Sequence, residues 1–239
     1  MIARTIYPDW AMIRSPDRAS LVLGFIFAIA LPASVSAAAG TCPSSCAPAD
    51  LVCNAAVALC ETKIRAFDVY MAQIDTGQPK YPLPAVYQEI LRPHYPQVDF
   101  EKIRFAFSDQ QPPDNATTDC NRIYFNDAAH VDALRNAGPN PKWLWLLHEL
   151  THAEQCAASG DREKYALRWW RELETAVRES GETIDVFQTT EQLVKQLQAL
   201  YLRVHAAMPM EQAADAKAET VLGGLRVCCI AEDGTPIRR

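Results

Sequence analysis

Apolar residues recur along 47–74 at Leu51, Val52, Ala55, Leu59, Ile64, Phe67, Tyr70, Met71 and Ile74. That three-to-four spacing predicts a long helix with one buried face. Gly77, Pro79, Pro82 and Pro84 then mark a loop over 76–84. A short helix is expected from Val86 to Arg92, ended by Pro93. Residues 102–107 alternate apolar and polar, and Arg122 to Phe125 is rich in β-formers, so two short strands are expected there. The polar stretch 108–119 between them reads as a loop, and Ala128 to Asn136 as a short helix. Next comes Trp143 to Gln155, apolar on most sides, as in a helix buried in a core. Asn140 and Pro141 offer it an N-cap and a first-turn proline, and Gly160 a left-handed stop. Asp161 can cap a further helix to about Ser180, with a buried stripe of Ala166, Trp169, Trp170, Leu173 and Val177. Helices over 184–208 and 211–222 follow, then a strand or tail over 225–230. Short strands ahead of one buried helix, with helices on either side, predict an α+β class that is mostly helical.

The first 38 residues carry a different pattern. Arg4, Arg14 and Arg18 precede an unbroken apolar run from Leu21 to Leu31. Small residues at 35, 37 and 39 then fit a cleavage site. This is the layout of an export signal, and the run is short for the ~20 residues of a membrane span. Four segments are therefore expected: the signal (1–38), a Cys-rich helical region (39–95), a core with the buried helix and its successor (96–182), and a C-terminal helical region (183–239). With the signal removed, no stable membrane anchor is expected.

Composition sharpens the picture. The full chain has 239 residues, 49% of them hydrophobic, and a net charge of −6. That is enough apolar material for a core, and the sign of the charge argues against nucleic acid as a partner. All eight cysteines lie beyond the signal, which implies an oxidising compartment, periplasmic or secreted, and a disulfide-stabilised fold. The cluster at 42–60 should staple its own region. Cys156 should fix the end of the buried helix, and Cys228 and Cys229 are expected to bridge to two separate places.

The candidate chemistry lies in the buried helix. His148-Glu149-Leu150-Thr151-His152 reads H-E-x-x-H, a pattern that this composition produces by chance in only ~0.6% of chains. Residues four apart on a helix share a face, so both imidazoles can hold one Zn2+ ion, with Glu149 beside them as general base. A catalytic zinc site usually takes a third protein ligand. The glycine and third histidine of the longer H-E-x-x-H-x-x-G-x-x-H pattern are replaced by Gln155 and Ala158. The third ligand is therefore expected from the next helix. Glu172 is favoured, because His148 and Glu172 each stand twelve residues from Gly160. Glu174, about 3 Å further along the axis, is the alternative. His94, His130 and His205 show no ligand spacing.

Residues 103–165 resemble the zinc metallopeptidase-type domain at the core of proteins linked to extracellular contractile injection systems. The resemblance is carried by 99–104, by 121–125, and above all by Leu146 to Gln155, with Gly160 and Tyr165 behind. It implies a zincin-like, specifically gluzincin-like, fold with Glu172 as ligand, since Glu172-Leu-Glu174-Thr175 approximates a family Glu-x-Glu-Ala stretch. The Glu-x-x-x-Asp pattern of thermolysin-like enzymes does not follow from Glu172, because Ala176 stands in the Asp position. The expectation is an exported zinc-dependent hydrolase, in particular a metallopeptidase acting on protein or peptide substrates. A non-catalytic zinc-stabilised interaction module is the alternative.

Overall fold

The computed structural model describes residues 42, 46–111, 115–181, 196 and 199–237. The export signal and most of the helix expected over 184–208 lie outside them. The elements run α1 (Leu51–Ile74), β1 (Tyr81–Pro82), α2 (Ala85–Leu91), β2 (Arg104–Phe107), β3 (Ala116–Asp119), β4 (Arg122–Phe125), α3 (Ala128–Arg135), α4 (Trp143–Ser159), α5 (Arg162–Glu179), a 3-10 turn (His205–Ala207) and α6 (Pro209–Cys228). The molecule is mostly helical with one small mixed sheet, as the pattern implied.

The sheet order is β1-β2-β4-β3. β2 and β4 run parallel in register Phe105 with Ile123, while β1 and β3 add antiparallel at the two edges. β3 was not expected. Its four residues lie in the stretch read as a loop, and they lack apolar alternation because only Thr118 and Asp119 are buried. β3 and β4 form a hairpin whose turn puts Cys120 at a φ of 55°. The Cys120–Cys156 disulfide ties that turn to the end of α4, as anticipated for Cys156.

Two apolar clusters surround α4. One joins Leu146, Leu147 and Leu150 of α4 to Phe105 and Ile123 of the sheet and to Val221, Leu222 and Leu225 of α6. The other joins Phe67 and Met71 of α1 to Tyr165, Trp169, Trp170 and Leu173 of α5. The stripe read on α5 is buried throughout. Burying one such side chain stabilises the fold by roughly 1.5–3 kcal/mol, so these two clusters fix where α4 sits. Between α1 and α5, Lys63 and Glu174 form a buried ion pair at 2.7 Å.

Helix ends follow local chemistry. Asp161 caps α5 by accepting from the Lys164 N–H, and Gly160 ends α4 at a φ of 87°. The start of α4 differs from expectation. The helix begins at Trp143, and the Asn140 side chain instead accepts from the Lys142 N–H in the approach to it. The C-terminal end differs more. The segment 225–230 continues α6 to Cys228, and Cys228 is joined to Cys229 rather than to a distant partner. The 42–60 cluster does staple itself, as Cys42–Cys60 and Cys46–Cys53. These disulfides fit an oxidising extracellular environment. Among the described residues, no helix is long and apolar enough to cross a membrane.

Candidate metal centre

α4 packs more extensively against α6 than against any other element, and this pairing builds the site. One face of α4 carries His148 and His152, and the facing turn of α6 carries Glu211. His148 Nε2 and His152 Nε2 each lie 3.1 Å from Glu211 Oε2, and 3.0 Å from each other. These three atoms could hold a metal ion. The spacing fits one: a tetrahedral centre with bonds of 2.0–2.1 Å separates its ligand atoms by about 3.3 Å.

The outward ring nitrogens strengthen that reading. His148 Nδ1 lies 2.8 Å from Asp215 Oδ1, an acceptor. His152 Nδ1 lies 2.9 Å from Gln155 Oε1. The Gln155 orientation is set by its own amide nitrogen, which donates to the Met210 carbonyl at 2.9 Å. Both Nδ1 atoms therefore carry hydrogen, and each neutral imidazole turns a bare Nε2 lone pair inward. Two lone pairs and a carboxylate oxygen then converge on one point, an arrangement that only a cation or a proton satisfies.

The electrostatics agree. Burial alone would depress His148, but the Glu211 hydrogen bond, the charges of Glu149 and Glu211, and Asp215 raise it to about 9. His152 is likewise raised, its burial outweighed by Glu211. Burial would raise Glu211, yet the histidines around it hold its carboxyl well below the usual carboxylate range. In metal-free protein the site thus takes up a proton, which a metal must displace. A folded-state value near 9, against the ordinary histidine value of 6.5, gives stability that is full below about 6.5 and lost as pH rises through 9. The melting temperature of chelator-treated protein should fall over that window, by the equivalent of about 3 kcal/mol at most. A His148→Gln variant should lose most of that slope, and stabilisation by added metal should instead grow with pH.

Glu149 is buried at the same wall of the cleft. Its Oε2 accepts from the Thr118 hydroxyl at 2.7 Å, and its backbone carbonyl from the same hydroxyl at 3.2 Å. Strand β3 thereby holds the carboxylate in place. The cleft has a volume of about 330 Å³ and is bordered by Glu149, by His148, His152 and Glu211, and by β3.

Sequence reading placed His148, Glu149 and His152 together, and the structure does the same. It puts Glu211 where Glu172 was expected. Glu172 accepts from Arg168 Nε at 2.8 Å and from the Met210 N–H at 2.6 Å, so it anchors the N-terminal turn of α6. Glu174 is committed to Lys63. The physical reason is which helix covers the histidine face: α5 presents its apolar stripe to α1, and α6 covers α4. A signal for the carboxylate that meets the two histidines was present in the chain. Glu211 and Asp215 form the Glu-x-x-x-Asp spacing that failed at Glu172, and both reach the histidines. Three further residues at the site were also missed. Gln155 is one, Thr118 lay in the supposed loop, and His205 contacts Glu211 Oε1 at 3.0 Å. Comparison with family models, curated proteins and solved structures finds no match.

Proposed function

We propose that this protein is an exported zinc-dependent hydrolase, a zincin-like metallopeptidase in which His148, His152 and Glu211 hold the metal. One observation carries the reading: a His-His-carboxylate trio on two packed helices, with a separate buried carboxylate, Glu149, one residue along from His148 and bordering the same cleft. Two imidazoles and one carboxylate are a donor set that suits zinc and leaves a fourth position open. A zinc ion there supplies Lewis acidity and lowers the pKa of coordinated water.

The remaining work falls to side chains of this chain. Glu149, held by Thr118, is placed to accept a proton from water in the cleft and return it to a leaving amine. Asp215 and Gln155 fix the tautomers of His148 and His152, so that neither ring turns away. β3 is the edge strand of the sheet and borders the cleft, the position at which an extended peptide substrate would add alongside it. The disulfides suit action outside the cytoplasm.

The test is a broad peptide library incubated with zinc-loaded protein. Cleavage that stops with chelation and returns with stoichiometric zinc is expected. Stoichiometric zinc with no turnover would instead support an interaction module that uses the metal only as a staple.

A further inference from the structure

Beside the metal cluster the cleft has a wall built almost wholly of rings. Phe67 and Tyr70 come from α1, Tyr165 and Trp169 from α5, and Tyr201 from the helical stretch 199–204. Four of the five form a connected set. Phe67 lies 6.4 Å from Tyr165 and 6.0 Å from Trp169 between ring centroids, and Trp169 lies 6.0 Å from Tyr201. The set reaches the cluster through Tyr201, whose ring is 4.9 Å from His205, the residue on the second oxygen of Glu211.

Three features say what such a wall would take. No Lys or Arg borders the cleft among the described residues, so an acidic side chain finds no counter-charge. The bordering carboxylates are engaged: Glu149 with Thr118, Glu211 with three histidines and Asp215 with His148. All three are held at the metal-cluster end of the cleft by these contacts. What remains is the part-exposed apolar surface of Tyr70 and Tyr201, backed by the buried rings of Phe67, Tyr165 and Trp169, which favours another ring. The phenol hydroxyls of Tyr165 and Tyr201 have no hydrogen-bond partner among the described residues and can donate to the main chain of a bound ligand.

We propose that this wall is a side-chain subsite that selects an aromatic or large apolar residue of the substrate next to the bond at the metal cluster. The proposal rests on the peptidase reading for the ligand being a peptide. It also gives the Cys-rich N-terminal helix a role in recognition, because α1 supplies two of the five rings.

The probe is a series of pentapeptides Ala-Ala-X-Ala-Ala, with X as Phe, Leu, Ala, Lys or Glu. Binding is read by tryptophan fluorescence and by calorimetry on the zinc-loaded Glu149→Gln protein. The Phe peptide should bind about tenfold or more tightly than the Ala peptide, with Leu between them and Lys and Glu no better than Ala. Tyr201→Ala and Tyr70→Ala, both at half-buried positions, should each shrink the Phe-to-Ala ratio by threefold or more, a ratio in which any loss of main-chain contact common to both peptides cancels. A flat series, a preference for Lys or Glu, or no binding of any peptide overturns the proposal. Wild-type protein that cleaves without preference sinks the subsite and leaves the peptidase intact. Selective binding of the Phe peptide without any cleavage sinks the peptidase and leaves the subsite.

Discussion

Glu211→Ala protein is expected to lose its metal. Zinc affinity should fall by at least about a hundredfold, beyond what removal of a residue outside the ligand set costs. Glu172→Ala should cost less than about tenfold. The contrast follows from geometry. Glu211 Oε2 is equidistant from both imidazole nitrogens, at 3.1 Å. Among the described residues it is the carboxylate of α6 that reaches that point. Removing it leaves two neutral donors and an open face. Glu172 never reaches the point. Its two oxygens are occupied by Arg168 and the Met210 N–H, where a carboxylate also suits the positive end of the helix. Its loss loosens the turn that carries Glu211 without removing a donor. Competition titration against a chromophoric zinc chelator separates the two variants. Equal losses, or a larger loss for Glu172→Ala, would mean that the metal sits elsewhere.

The second large effect is expected at Glu149. Glu149→Gln should keep zinc to within about threefold and lower hydrolysis by roughly a thousandfold, within the range for removal of a positioned general base. Gln preserves the shape of the side chain and can still accept from Thr118 through its carbonyl oxygen, so the wall of the cleft should survive. What it cannot do is take a proton. The carboxylate is buried at 4% exposure, so bulk water cannot replace it by diffusion into the same position. Initial rates measured alongside zinc content decide the matter: a variant that holds zinc and turns over as fast as wild type would remove Glu149 from the chemistry. Thr118→Val, which deletes only the hydroxyl holding that carboxylate, should give a smaller loss in the same assay.

The legible parts of this chain were those governed by local rules. H-E-x-x-H put two imidazoles and an acid on α4 because helical spacing alone brings positions 148 and 152 together. Gly160 and Asp161 marked the α4–α5 boundary through a left-handed stop and a side-chain cap, both local events. The stripe on α5 was readable for the same reason. The third carboxylate was not, since its position depends on which helix covers α4. Glu172 and Glu211 are both acids on later helices, and only packing distinguishes them. The core residues Val221, Leu222 and Leu225 bring α6 onto α4, and the chain between 182 and 198 gives no sequence cue to that return. Strand β3 escaped because an edge strand beside a cleft keeps polar residues on both faces, so Thr117 and Thr118 look like loop. The same polarity is what lets Thr118 hold Glu149. The Cys228–Cys229 bridge was missed because adjacent cysteines on one helix end were expected to diverge.

The most direct test of the metal centre is anomalous diffraction at the zinc edge from crystals of zinc-loaded protein. A single strong peak about 2.0–2.2 Å from His148 Nε2, His152 Nε2 and a Glu211 oxygen is the predicted result. A peak bound to Glu172, or one remote from the two imidazoles, would contradict it.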